Sequence, residues 1–389
     1  MVLSVSLRPT IISIVLLLVC AGTLLFADSR TGGAAAPVER VRVAVVSGAP
    51  AVTVSGEGVL LLRDGEPPAA LDRELTVRSF NDVMLVNGGV SRRLICIGAP
   101  YVLLGGRPYR GQVELLPGDK GVLAVNELPL EEYLAGLINS EISSSWPLEA
   151  VKAQAVIART YALSRRDARR NAPYHLESSV IDQVYEGSAR EDSRSRRAVE
   201  ETAGQVLTYN GGLAQALYHS NCGGRTESAE SVWGSPIPYL KGVECRFCLN
   251  VPSAVWEQRL ALKEIEERLA AAGHRVSGLT GLRGSGITGS GRFKTVVLSM
   301  ERGELSLSGD QFRKAIGYGV IKSTSFTVRV ADGEAFFSGS GNGHGVGLCQ
   351  WGARQRAQDG LTYREILAYY YPGTALMERG GAQTSRAGS

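Results

Sequence analysis

The chain has 389 residues, enough for one large domain or two ordinary ones with an ample core. Hydrophobic residues make up 44%, charged residues 21%, and the formal net charge is +4. That balance gives no argument for a nucleic-acid partner, and apart from 47 glycines the composition is that of an ordinary folded protein.

Residues 11–27, IISIVLLLVCAGTLLFA, are an apolar run preceded by Arg8 and followed by Asp28 and Arg30. The run is short for a membrane span and long for a signal-peptide core. No small-x-small cleavage site follows it. Val19 stands where a lipoprotein box ahead of Cys20 would need a small residue. The run reads as an uncleaved or slowly cleaved export anchor in the cytoplasmic membrane; a cleaved signal is the alternative. Either way the remainder is expected outside the cytoplasm, in the cell envelope or periplasm. Residues 31–37, TGGAAAP, are a small-residue linker, expected to be disordered.

From 38 to about 125 the pattern is of short strands bounded by Gly, Pro, Asp and Asn. No catalytic constellation stands out there. The stretch reads as a β-rich packing or recognition module.

Residues 126–170 carry two helices. The first begins near Pro129, with Leu130, Tyr133, Leu134 and Leu137 at helical spacing. The second opens at Trp146 and Pro147, with Glu149 in its first turn. It is apolar on nearly all sides, which predicts burial. Lys152 and Arg159 nevertheless sit on one of its faces and need an anion. Glu141, on a polar elbow over 139–145, is one candidate; a bound ligand is another. A buried ion pair that only fixes the fold is the competing reading.

After residue 170 short strands are expected over 174–176 and 180–185, then a helix over 192–204 and a hairpin turning at Asn210 and Gly211. His219 and Cys222 follow, then Cys245 and Cys248, an H-x-x-C and a C-x-x-C pair. Four such ligands in two close pairs suit one tetrahedral Zn2+ with a structural role. A disulfide, between Cys245 and Cys248 or from Cys222 to either, is the alternative in an exported protein. Cys96 is isolated and reads as core. Residues 254–273 read as an amphipathic helix, followed by strands over 278–284, 293–299 and 304–308, a short helix from 309 and a hairpin over Asp332 and Gly333.

The last block is GSGNGHGVGLCQWGARQRAQDG, with His344 inside alternating glycines. Glycine lets the backbone approach a ligand closely. Neither nucleotide-loop spacing is present. His344 and Gln350 are candidate site residues. Thr362 and Glu365 make a capping box for a last helix over 363–371. The whole reads as an α+β protein.

Three stretches, LPLEEYLAGLINSEISSSWPLEAVKAQAVIARTYAL, YHSNCGG and GNGHGVGLCQWGARQRAQDGLTYREILAYYYPG, resemble the SpoIID family of sporulation stage II protein D and the amidase enhancers. The resemblance runs from about residue 109 to 376. It implies a segment 1–37 of anchor and linker, a β-rich module 38–108, a SpoIID-like catalytic domain 109–378 and a disordered tail 379–389. It also implies lytic transglycosylation of peptidoglycan glycan strands, favouring peptide-free strands, with Glu141 as the catalytic acid. The family's zinc-binding stretch is similar to the region of His219 and Cys222. Lys152, Arg159, Tyr161, His344 and Gln350 are the expected substrate contacts. A cell-wall amidase is the expected partner under the alternative, a glycan-binding activator without catalysis. One departure is Cys349, where relatives often carry Ser. The chemistry suits one carboxyl: hydrolysing glycosidases use two, whereas a substrate that supplies its own nucleophile needs only an acid that becomes a base. Such an acid needs burial to stay protonated near neutrality, and nearby cations would oppose that. Lys152 and Arg159 are therefore expected to bind substrate or other carboxylates, such as Glu132.

Overall fold

The computed structural model describes residues 38–251 and 254–379; the anchor run, the linker and the tail from 380 lie outside the described residues. Two sheets and three helices share the first core. A seven-stranded sheet runs in the order Leu176–Glu177, Arg40–Ala49, Gly121–Pro129, Gln112–Gly118, Leu94–Ile97, Leu60–Arg63, Ala69–Ala70. A six-stranded sheet contains Ala51–Ser55 and Leu75–Phe80 at its centre. Alternation explains both: Leu75 and Val77 face inward while Thr76 and Arg78 face out. Arg40–Ala49 pairs along Gly121–Pro129, so the larger sheet draws on both sides of residue 108.

Helix α1 spans Leu130–Glu141 and α2 spans Leu148–Ala168, each with the preceding proline at its N-cap. Glu141 closes α1 as its last residue, rather than standing on a free elbow. Helix α2 is buried on nearly all sides, as its composition predicts. Val151, Ala155, Ala158 and Ala162 face the first core. Ala153, Val156 and Ile157 face a second, which holds Cys222, Cys245, Cys248 and Cys349. Helix α3, Ser193–Glu200, starts on a capping box between Asp192 and Ser195. Residues 180–185 form an irregular loop rather than the expected strand.

Asn210 and Gly211 both adopt positive φ and turn Gln205–Tyr209 back into Gly212–Leu213. Helix α4 is the short Ala229–Trp233. The expected helix over 254–273 divides in two: Val255–Ala261 is a strand against Glu334–Ser340, and only Leu262–Ala271 is helical, α5. The reason lies in the strand's own pattern, where Trp256 and Leu260 face inward between exposed Val255, Glu257 and Arg259. Long-range pairing overrides a helical reading of the same residues.

This strand, the hairpin Phe326–Ala331 and Glu334–Ser340, the meander Leu279–Ile287, Phe293–Met300 and Glu304–Ser308, α5, and α6 (Gly309–Ile316) form a wing around a third core. The chain then returns to the second core. Leu348–Cys349 pairs in parallel with Tyr218–His219, and α7 (Gln350–Gln358) and α8 (Tyr363–Tyr370) follow. The Thr362–Glu365 capping box of α8 is present as expected.

Candidate active site and cysteine cluster

Glu141 sits where α1 ends and the chain turns sharply extended at Ile142. Arg194 donates to the carbonyls of Ser144 and Trp146, and Ser144 donates to Asp192, so the turn after Glu141 is pinned. Glu141 keeps partial exposure. Burial pushes its carboxyl up to about 7; donors from the Tyr218 hydroxyl, the Val184 amide and Gln350 pull the other way without cancelling it. The Val184 N–H lies 3.2 Å from Oε1.

Behind these donors runs a chain of neutral groups. The Tyr133 hydroxyl donates to Gln183 at 3.0 Å, and Gln183 donates to the Tyr218 hydroxyl at 3.2 Å. Tyr218 thus accepts from Gln183 and is left to donate to Glu141. Gln350 donates to Gln154 Oε1 at 3.3 Å. Half-buried Trp146 and Trp351 stack at 4.9 Å beside them, under the Arg354 guanidinium.

The cations of α2 are spent elsewhere. Arg159, 1% exposed, grips Glu131 through two bonds of 2.8 and 2.7 Å and donates to the Gln205 and Val199 carbonyls. Lys152 pairs with Glu149 at 2.9 Å and Glu201 at 2.6 Å. Glu132, the expected carboxylate partner, pairs instead with Arg110 and Arg196. Tyr161 donates to Asp182 at 2.8 Å, and Asp182 also takes Arg165 and Arg169. Of the five expected substrate contacts, the structure brings Gln350 to Glu141. His344 is not among the partners of Glu141; its Nδ1 accepts from the Val346 amide at 3.0 Å, and its ring packs 5.2 Å from Trp233 and 5.7 Å from His219. Burial, then Arg313 and Arg292, push it down to about 3, so it is neutral.

The alternating glycines serve packing against the protein itself. A Cβ on Gly345 would lie 2.6 Å from Arg292 Cζ, and one on Gly347 would lie 1.9 Å from the Leu217 carbonyl oxygen.

Cys222, Cys245, Cys248 and Cys349 are all buried, with their sulfurs within 4.8 Å of one another. Three of the expected ligands therefore meet; the fourth member of the cluster is Cys349, and His219 lies outside it. The parallel pairing of Tyr218–His219 with Leu348–Cys349 sets Cys349 beside the Cys222 loop, where the Cys222 amide donates to its Sγ at 3.3 Å. His219 turns away: Nδ1 donates to the Val346 carbonyl at 3.1 Å, and burial first, then His344 and Arg292, hold the ring neutral. The five described cysteines are unpaired. The donor set fits a tetrahedral soft metal: four sulfurs on 2.3 Å bonds would lie about 3.8 Å apart, and amides of Cys222 and Gly352 already point at Cys349 Sγ.

The model of the family described as "SpoIID: Stage II sporulation protein" matches residues 118–209. An uncharacterized protein of Brachyspira hyodysenteriae is 33% identical over 276 residues, 71% of this chain and 74% of that one. The stage II sporulation protein D of Bacillus subtilis is 31% identical over 271 residues, 66% of this chain and 76% of that one. The amidase enhancer of the same organism is 34% identical over 290 residues, 62% of this chain and 40% of that longer protein.

Proposed function

The chain belongs to the SpoIID family, and from that premise we propose that it acts on the bacterial cell wall as a peptidoglycan lytic transglycosylase, with Glu141 as its single general acid and base. The observation that carries the reading is that Glu141, a residue only partly exposed, holds a carboxyl that burial raises to about 7 with no cation against it. Near neutral pH such a group divides between acid and carboxylate, the condition for acting as both.

The protonated carboxyl donates to the glycosidic oxygen as the C1–O bond of the muramyl residue breaks. The C6 hydroxyl oxygen of that residue then bonds to C1, and its proton passes to the Glu141 carboxylate. A 1,6-anhydro ring results, the acid is regenerated and no water is consumed. Tyr218, the Val184 amide and Gln350 hold the carboxylate between the two transfers. A structural Zn2+ held by Cys222, Cys245, Cys248 and Cys349 would tie the loops around Tyr218 and Gln350 together; four sulfur ligands leave no place for an activated water. Lys152, Arg159 and Tyr161 belong on this reading to the framework. The site works in the extracytoplasmic envelope, and the segment 11–27 is its proposed anchor.

Glu141→Gln keeps the shape but cannot shuttle a proton. Cleavage of peptide-free glycan should fall by about 10²–10⁴-fold with fold and metal content retained; near-normal cleavage would end the proposal. Similarity to the amidase enhancer supports a second reading, glycan binding that stimulates a separate amidase. A wild-type protein that binds glycan and releases nothing would put that reading in its place.

A further inference from the structure

Trp146 and Trp351 meet at the seam between two cores: Trp146 packs against the first and Trp351 against the second. Their ring centroids are 4.9 Å apart and their planes tilt by 49°. The Arg354 guanidinium lies over both, 5.7 Å from the Trp146 ring and 5.1 Å from the Trp351 ring. All three residues are half-buried, so solvent still reaches the cluster. The cations of α2, Lys152, Arg159, Arg165 and Arg169, each have a carboxylate. Arg354 has none among the described residues, and its Nε is buried without a partner. The two rings offset part of the cost of holding a guanidinium there, but they leave its hydrogen-bond donors unused.

Both indoles are tied to the acid. Trp146 ends the turn that follows Glu141, and Arg194 pins that turn through the Ser144 and Trp146 carbonyls at 2.8 and 3.0 Å. Trp351 follows Gln350, which donates to Glu141, in the first turn of α7. Arg354 lies three residues beyond Trp351 and four beyond Gln350, on the same side of α7. Arg354 is not among the groups that shift the Glu141 carboxyl, so the cluster stands beside the acid rather than on it. The turn adds exposed Ser143 and Ser145, whose hydroxyls bond to each other at 2.7 Å. A rigid aromatic surface supplies contact area at low entropic cost. A pyranose ring offers such a surface a face of C–H bonds, and offers a guanidinium a rim of hydroxyl and acetamido oxygens.

We propose that Trp146, Trp351 and Arg354 form a stacking subsite for one pyranose ring of the glycan, next to the ring whose bond Glu141 breaks. The indoles take the C–H face, and Arg354 donates to hydroxyl or acetamido oxygens. The inference rests on the proposed function above. Binding energy gained at a ring that does not react holds the scissile bond against the carboxyl. Cleavage therefore depends on a neighbouring sugar, and a strand end too short to reach the indoles is cut slowly.

The test uses the full-length chain as its Glu141→Gln variant, so that glycan is bound without being cut, and soluble oligosaccharides from peptide-free glycan. Calorimetry gives the dissociation constant, and binding should also change the fluorescence of the indoles. Adding Trp351→Leu should weaken binding by about tenfold, the loss of one aromatic contact, whereas Trp351→Phe should keep most of it. Adding Arg354→Met, which keeps the stem over the rings and removes the donors, should weaken binding severalfold. With Glu141 in place, Trp351→Leu should lower kcat/KM by a similar factor and leave the pH at which activity falls unchanged. Unchanged glycan affinity in Trp351→Leu or, where that variant does not fold, in Arg354→Met overturns the proposal. A pH profile that shifts with Trp351→Leu would make the indole a prop for Gln350 and overturn it too. If Glu141→Gln binds no glycan at all, the proposed function fails with it. Glycan binding that is lost with Trp351→Leu, in a protein whose wild type releases nothing, would sink the enzyme reading alone.

Discussion

Gln350 Nε2 donates to Gln154 Oε1 at 3.3 Å, joining residues 196 positions apart. Gln154 lies in the middle of α2 and is 1% exposed; Gln350 opens α7 and is 7% exposed. The bond orients the Gln350 amide, which also donates to Glu141. Through this pair the glycine-rich end of the chain reaches the acid supplied by α1. Gln154 Nε2 has no partner among the described residues.

This arrangement predicts how the pH profile moves. If protonated Glu141 is the reactive form, activity should fall as pH rises through about 7. Tyr218 and Gln350 lower the Glu141 pKa by favouring its charged form. Tyr218→Phe and Gln350→Ala should therefore carry the alkaline limb to higher pH, Tyr218→Phe further, while reducing the maximal rate. Rate profiles across pH 5–9 check both signs (about two units either side of the limb). A limb that stays put or moves down in both variants would separate these donors from the acid.

Glu141 also carries a stability cost. Its pKa is raised from the ordinary 4.5 to about 7, so the folded state holds this proton more tightly than the unfolded chain does. Stability is then lost as pH rises from about 4.5 to about 7 and changes no further from this group above that. Glu141→Gln should be the more stable protein above pH 7, by at most about 3 kcal/mol, less what solvent screening of a partly exposed group removes. The advantage should vanish near pH 4.5. Thermal melts at both pH values test this; a variant less stable at pH 8 would contradict the assigned burial.

The cysteine cluster predicts a contrast between two neighbours in paired strands. Cys349→Ser should lower the zinc content of protein purified without added metal below about one per chain and lower the melting temperature. His219→Ala should leave the zinc content unchanged. Elemental analysis of the two variants decides between them. Zinc lost with His219 and kept without Cys349 would restore the ligand set expected from spacing alone.

Local features were legible in the sequence. The Thr362–Glu365 capping box, the Asn210–Gly211 and Asp332–Gly333 turns and the buried α2 depend on residues close in the chain. So did the meeting of Cys222, Cys245 and Cys248. What escaped was set by pairing across long separations. Cys349 joins the cluster only because its strand lies beside Tyr218–His219. Val255–Ala261 is a strand only because Glu334–Ser340 lies alongside. The spacing of Lys152 and Arg159 correctly demanded anions, but their partners Glu131, Glu149 and Glu201 could not be chosen from spacing. Tyr133 and Tyr218 lie in two of the family stretches, but their connection through Gln183 was not legible, since the three residues come from separate segments. Gln154, a polar residue on the buried helix inside the first of these stretches, was an available signal.

On the proposed mechanism one carboxyl, Glu141, cuts glycan without water. Mass spectrometry of the soluble products from purified, peptide-free glycan tests it most directly. The products should end in 1,6-anhydromuramyl residues, each one water lighter than the hydrolytic product, and Glu141→Gln should release none. Products ending in ordinary reducing sugars, or anhydro products still released by Glu141→Gln, would contradict it.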